Sequence, residues 1–478
     1  METLKEKTAR GLFWGGMNTL VMQLIGMVFG IIMARILDTE DYGMMAAVVI
    51  FTAIATELKD SGFKTALANE SHPQDADYNS VFWFNLLMGI ALYVVMFFSA
   101  PLLGAYYENE ALVPLARYAF LAVVITAFST SQSAWLFKNL RTKQIAKAGM
   151  TATLVSCLAG VGMALAGGRY WSLVTQNLVF VLVNTLLLWH YSPWRPHLEL
   201  DFRPVRRMFG FSWKVMVTTI ATQVNNNIIN VLTVKYFGEQ KAGVYFQASQ
   251  WNTKAFSVVQ GMVSQVAQPV FVDLRGDGDR QLAALRKLMR FTAFVTFPLL
   301  LCLSMVANEF ICLTIGSKWM QSAVFLQVLC LSGCFAPLST LLSNMVLSKG
   351  RSDLYLWSTL LLCGLQVGVL FALRRQELMW MVGAYVALNI AWAFVWFVLV
   401  SRLTGYRLLS FLKDVLPFAL TAVAAALLTV AVTSQAWPDV VLLVVRVAIF
   451  GAAYLAVMRL AGAQILRESL GFIKNRNK

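Results

Sequence analysis

The feature that most constrains this chain is a repeated spacing. Its charged residues are parted, time after time, by apolar stretches of about 20 residues, the length an α-helix needs to cross a bilayer. A chain that is 58% hydrophobic and 13% charged has about half the charge of a soluble globular protein. A soluble enzyme, a disordered chain and a disulfide-stapled scaffold are all excluded, and the 478 residues read as one membrane body. Cys157, Cys302, Cys312, Cys330, Cys334 and Cys363 lie in apolar segments without a CxxC pair, and His72, His190 and His197 are scattered. No zinc spacing arises, and neither metal nor cofactor is expected. The first apolar block, Gly11–Met33, is too long for a cleaved signal peptide and lacks the small-residue cleavage site.

Fourteen candidate helices follow at 11–33, 42–58, 80–100, 114–136, 148–166, 170–190, 210–234, 243–267, 288–308, 322–345, 352–373, 378–400, 415–432 and 439–460. Lys and Arg total 39 against 24 acids, a net charge of +15. In a soluble protein that excess would point to nucleic acid; here it reports topology, because cytoplasmic loops collect Lys and Arg. With the N-terminus inside, 28 of the 39 fall in alternate, inner segments. The outer ones hold seven: Arg35, Arg169, Lys235, Lys241, Lys318, Arg374 and Arg375. One missed helix would destroy this asymmetry, so both termini are expected in the cytoplasm. The outer loops are too short for a folded catalytic domain.

The halves echo one another. Trp14 leads to Ala34-Arg35-Ile36-Leu37 and Asp41-Tyr42-Gly43; Trp213 leads to Lys235-Tyr236-Phe237-Gly238 and Ala242-Gly243. Both copies start inside, which makes them parallel repeats, a transporter architecture that works by rocking one lobe against the other. The expected fold is an all-α integral membrane protein of 14 transmembrane helices, with two six-helix lobes around a central cavity. The lobes are 1–190 and 211–400, joined by a Pro- and Arg-rich cytoplasmic linker, 191–210; two additional helices and a cytoplasmic tail fill 401–478.

Polar residues mark the spans expected to face the cavity. Gln247, Gln250, Lys254, Ser257, Gly261, Ser264 and Gln268 are spaced alternately by three and four, which puts them on one helix face. Lys254 falls near the bilayer centre, where an ionisable group costs about 3 kcal/mol on insertion scales and faces a cavity or a partner. A stripe of amides and small residues also suits helix–helix packing. The preceding span carries Lys214, Thr218, Thr219, Thr222, Gln223, Asn225, Asn226, Asn227, Asn230 and Thr233. Its amides match sugar hydroxyls and neighbouring helices equally well. The 200-residue offset carries the stripe onto Glu57, Ser61 and Lys64, with Lys59 and Asp60 alongside; these are a cavity mouth or an ordinary helix end among headgroups. Arg117 and Arg446 read as snorkelling side chains. The core charge, Lys59, Lys64, Lys214 and Lys254 against Glu57 and Asp60, favours an anionic ligand, since lysines are point-charge partners of phosphate. No P-loop is present.

Ala34-Arg35-Ile36-Leu37, Asp41-Tyr42-Gly43, Asp60-Ser61-Gly62-Phe63 and Ala66-Leu67 resemble the start of bacterial oligosaccharide flippases, the Wzx-like polysaccharide exporters. Phe82-Trp83-Phe84-Asn85, Pro101-Leu102, Pro114-Leu115, Leu140-Arg141, Gly316-Ser317-Lys318-Trp319 and Leu326-Gln327 extend the resemblance, in particular to the colanic-acid-exporter type. The chain departs from the pattern at Ala68-Asn69-Glu70, where the family tends to have an apolar residue, Gln and a basic residue. The family belongs to the multidrug/oligosaccharidyl-lipid/polysaccharide superfamily. The resemblance implies a bacterial inner-membrane flippase that moves a polyprenyl-pyrophosphate-linked oligosaccharide for surface polysaccharide biosynthesis, among membrane lipids and alongside other polysaccharide-assembly proteins.

On that reading Lys214 and Lys254 meet the pyrophosphate, Lys59 and Lys64 stand at the cytoplasmic mouth, and Asn226 and Gln250 meet sugar. Glu57 and Asp60 either couple a proton or position the lysines. A multidrug/cation antiporter of the same superfamily is the alternative and wants an unpaired carboxylate with aromatic walls. A polytopic glycosyltransferase or polymerase is a third; it needs paired catalytic acids, and none emerges, so no enzyme is expected.

Overall fold

The computed structural model describes residues 21–460, apart from 61, 64–66, 68–69, 71–72, 275 and 434–436. Lys64 and Ser61 lie outside the described residues. Every described element is helical: α1 (Val21–Ile36), α2 (Thr39–Asp60), α3 (Asp75–Tyr107), α4 (Leu112–Ala127), α5 (Thr130–Lys138), α6 (Thr142–Leu165), α7 (Trp171–Tyr191), α8 (Arg203–Asp273), α9 (Gly278–Met305), α10 (Ala307–Thr314), a 3-10 turn (Ser317–Trp319), α11 (Met320–Gly333), α12 (Ala336–Ser348), α13 (Ser352–Ala372), α14 (Leu378–Thr404), α15 (Leu408–Val432) and α16 (Asp439–Leu460).

Ten helical segments among the described residues are long and apolar enough to cross a membrane, and the α4–α5 pair, bent by 43°, makes an eleventh. The protein is thus a multi-pass membrane protein, all-helical among the described residues. The fourteen expected segments all coincide with helix where described, but three do not meet the length and composition of a span. The first, expected at 11–33, begins before the described residues. The other two are the arms of α8, whose polar residues dilute its apolar content. Those arms part at Gly238, with φ 82° and ψ 167°, a conformation that costs glycine little and other residues much.

Helix ends are built locally. The Asp41 carboxylate accepts from the Asp38 amide at 3.0 Å, and Asp77 from Gln74 at 2.9 Å, each satisfying an N–H that a helix start leaves orphaned. Asp277 accepts from the Arg280 amide at 3.0 Å and starts α9 in the same way.

The structure forms two compact units. The first is residues 1–246 with 356–378; the second is 247–355 with 379–478. Packing therefore divides the chain elsewhere than the repeat does, placing the first arm of α8 and most of α13 with the N-terminal helices. In the first unit the linker is no loose tether. Trp194, Val205 and Met208 are buried in one cluster with Tyr78, Val81, Phe82 and Leu86 of α3. Trp194 donates to Asp75 at 2.6 Å, and Arg207 pairs with Asp77 at 2.8 Å. In the second unit, Arg286 of α9 meets the buried Asp414 of α15 at 2.7 Å, and Tyr406 donates to the same carboxylate at 2.8 Å. Burial, and then the negative charge of Asp414, raise the Tyr406 pKa, so the hydroxyl keeps the proton it donates.

Candidate functional site

Chain direction distinguishes the ends of the first unit. The linker binds the start of α3 through Asp75 and Asp77, so Tyr107, Arg169 and Gly238 lie at the far end. There α2 and the chain after Gly238 cross at two glycines. A Cβ on Gly43 would run into the Glu239 carbonyl oxygen, and one on Gly243 into that of Thr39. The 200-residue offset exchanges 39 with 239 and 43 with 243, so each contact is the other's image. Small residues permit such backbone approach between membrane helices. Beside the crossing, Lys235 pairs with Glu108 at 2.8 Å, Asn109 donates to Glu239 at 2.6 Å, and Arg169 pairs with the buried Asp41 at 3.4 Å.

Within the same unit, α2, α4, α7 and the first arm of α8 line a cavity of about 250 Å³. Its polar walls are Thr52, Thr56 and Glu57 of α2, Thr126 of α4, Asn177 of α7 and Gln223 of α8. Gln223 donates to the Glu57 carboxylate at 3.3 Å. Sites for drug-sized ligands run to roughly 300–1,000 Å³, so this cavity holds waters or one small polar group and is too small for an oligosaccharide.

Lys59 corrects an expectation. Its side chain is 1% exposed and lies 2.7 Å from Asp60, with Thr126 and Thr130 each at 3.3 Å. An ammonium has three donors, and all three are engaged. Thr130 in turn donates to Asp60 at 3.0 Å. Lys59 therefore pins α2 to the α4–α5 bend and offers no open cation at a mouth. The aliphatic stem runs past Gly89 of α3, where an added Cβ would meet the Lys59 Cγ at 3.5 Å.

The remaining sequence-predicted residues are separated. Lys214 and Asn226 are exposed on the first arm of α8 and do not line the cavity. Asn225 and Asn230 are buried, as is Thr233, so the polar residues of this span are not uniformly accessible. Thr218, Thr219, Thr222 and Thr233 bond carbonyls four residues back, a local satisfaction that removes the need for partners on other helices. In the second unit Gln247 is buried, Gln250 exposed and Lys254 half-buried. The Lys254 ammonium stands 4.7 Å from the ring centre of Trp251, the aromatic that holds a cation best. Trp251 is itself buried, edge-on to Phe310 at 5.1 Å. Gln260 on the same helix donates to Thr340 of α12 at 2.9 Å, so part of this arm's polarity serves packing. The side chain of Gln268 lies outside the described residues.

One arginine does not snorkel. Arg446 is buried and pairs with Glu309 at 2.6 Å, its Nε donating to Thr433 at 3.1 Å. Arg117 sits 4.3 Å over the Phe97 ring and donates to the Phe97 carbonyl at 3.2 Å. Sequence reasoning also missed Asn177 and Asp414, whereas Gln223 was among the polar residues it named. Asp414 had a visible signal, a lone acid leading an apolar helix while Arg286 and Arg290 recur at helical spacing on α9.

A family model described as "Polysaccharide biosynthesis protein" matches residues 32–324, well over half of the chain. The chain belongs to that polysaccharide biosynthesis protein family. It is 25% identical over 358 residues to the lipopolysaccharide biosynthesis protein WzxC of Escherichia coli K12, covering 74% of this chain and 72% of the relative. It is 24% identical over 419 residues to the teichuronic acid biosynthesis protein TuaB of Bacillus subtilis 168, covering 86% and 84%. Among solved structures it resembles the lipid II flippase MurJ in an inward closed conformation, with a TM-score of 0.73, 13% identity, and coverage of 93% of this chain and 98% of that one. At that identity the likeness establishes the fold.

Proposed function

We propose that this membrane protein is a flippase that moves a polyprenyl-pyrophosphate-linked oligosaccharide across the bacterial inner membrane for surface polysaccharide biosynthesis, by alternating access. The observation that carries the reading is membership of the polysaccharide biosynthesis family on the fold of a lipid-carrier flippase. The reciprocal Gly43–Glu239 and Gly243–Thr39 contacts support lobes at 1–190 and 211–400 that are related by a parallel repeat. The linker is cytoplasmic in this reading, as are both termini. The far-end pairs Lys235–Glu108 and Asn109–Glu239 join the two repeat halves and part when the far end opens. The hydrogen bond from Lys235 holds the Glu108 carboxyl below its ordinary pKa. That pairing is therefore complete above the ordinary carboxylate range and is lost as pH falls through the lowered value.

Lys214 and Lys254 serve as the pyrophosphate partners, with Asn226 and Gln250 for sugar; Lys64 remains assigned to the mouth. Lys254→Met is expected to cut export at least tenfold while the folded amount stays near wild type, because the ammonium rests on an aromatic face and not in a packed core. Export and folded protein are read together in cells lacking the native chain; full export with Lys254→Met would remove the pyrophosphate role. Asp60 positions Lys59. Glu57, bonded to Gln223, does not carry a coupling proton: Glu57→Gln should reduce transport only in part and leave its pH dependence unchanged. Loss of the response to an imposed proton gradient, with downhill movement intact, would assign Glu57 to coupling instead.

A further inference from the structure

At the linker end of the first unit a second cavity, of about 590 Å³, lies between α3 and the start of α8. Phe84, Leu87 and Ala91 of α3 form one wall, and Phe202, Arg206 and Phe209, at the start of α8, form the other. Both sets follow helical spacing, so each wall is one helix face. Phe82 and Leu86 on α3 and Met208 on α8 turn away into the core, and the buried Val205 borders both the core and the groove. The groove walls are left accessible: Leu87 is 50% exposed and Phe209 45%.

Arginine pairing singles out one side chain. Arg203 pairs with Asp201 at 3.1 Å, Arg207 with Asp77, and Arg195 bonds the Ser192 and Trp194 carbonyls. Arg206 makes no side-chain ion pair or hydrogen bond among the described residues, and it is the arginine set in the groove wall. The depth of the groove follows from tryptophans, which mark the membrane–water interface. Trp83 donates to the linker carbonyl of His197 at 2.7 Å, and Trp189 to that of Phe128 at 2.7 Å. From Trp83 to Ala91, α3 advances roughly 12 Å at 1.5 Å per residue, from interface into hydrocarbon. An apolar groove that starts at headgroup level beside an uncompensated guanidinium complements a chain bearing a phosphate.

We propose that this groove is a binding site for an anionic membrane phospholipid, which lays an acyl chain between α3 and the start of α8 and sets its phosphate on Arg206. The lipid thereby staples the start of α8 to α3, whatever the chain transports.

The test uses the purified full-length protein with phosphatidylglycerol as the probe and phosphatidylcholine as the neutral control, bound lipid being counted by native mass spectrometry alongside thermal unfolding. Phosphatidylglycerol is expected to bind and raise the melting temperature more than phosphatidylcholine does. Arg206→Gln should weaken that binding about fivefold, the factor that corresponds to one basic residue near an anionic surface at ~1 kcal/mol. Leu87→Trp, which fills the groove, should abolish it, and Arg203→Gln should leave it unchanged. Equal binding of the two lipids, or unchanged binding by Arg206→Gln and Leu87→Trp, would overturn the site. A polyprenyl phosphate that displaces phosphatidylglycerol from the wild type at equal concentration would overturn the assignment to a bilayer lipid.

Discussion

Gly243→Val is expected to cost the protein both stability and export, and Gly43→Val to do the same. At each position the new side chain starts inside a backbone carbonyl, Thr39 at one and Glu239 at the other. A carbonyl cannot rotate aside as a side chain can. Overpacking a close contact costs about 1–3 kcal/mol, and backbone obstruction places these two changes at the top of that range. The helices must separate, which also strains the neighbouring Lys235–Glu108 and Asn109–Glu239 pairs. Gly364→Val is the control, since a Cβ there meets nothing within 4 Å. Thermal unfolding in detergent should show both crossing variants well below wild type and Gly364→Val beside it. A wild-type melting temperature for Gly243→Val would mean that the crossing does not exist.

The second large effect lies in the other unit. Arg446 and Glu309 are 7% and 8% exposed, so removing one partner strands a buried charge. Such a loss costs about 3–5 kcal/mol, whereas replacing both partners with apolar residues is often neutral or stabilising. Arg446→Leu and Glu309→Leu should each lower the melting temperature sharply, and the double change should recover most of the loss. A double-mutant cycle measures the coupling. If Arg446→Leu alone unfolds like wild type, the side chain is a solvated one and the pair contributes nothing.

Which parts of this fold were legible follows from the range of the forces involved. Helix positions were, because a span needs a length of apolar sequence, and sequence displays that directly. The break at Gly238 was also visible, as the end of Lys235-Tyr236-Phe237-Gly238 before a new helix. Partners far apart in the chain were not. Arg446 and Glu309 are separated by 137 residues, and nothing local distinguishes a buried arginine from a snorkelling one. Lys59 looked like a free cation because its acceptors Thr126 and Thr130 are neutral and distant in sequence, although Asp60 stood beside it. The first arm of α8 misled in another way: hydroxyls that return to their own helix have the same letters as hydroxyls that reach a ligand.

The motifs that carry the family resemblance turn out to build structure. Asp41 caps α2 and holds Arg169, Gly43 makes the crossing, Phe63 and Phe82 fill the core, and Gly316, at φ 101°, leads into the fully buried Trp319. Family membership is thus read from packing and turns. The residues proposed to meet substrate, Lys214, Asn226, Gln250 and Lys254, lie outside those motifs, which is why a sequence can announce its family without disclosing its glycan.

Movement of a lipid-linked sugar is tested most directly by reconstitution. Purified protein is placed in liposomes whose outer leaflet carries a polyprenyl-pyrophosphate-linked oligosaccharide, and the sugar accessible from each side is followed with time. Transfer to the inner leaflet is expected with the sugar covalently unchanged, and at least tenfold slower transfer with Lys254→Met. A sugar that stays in its leaflet, a product with altered glycan, or transport of an organic cation in place of the lipid would contradict it.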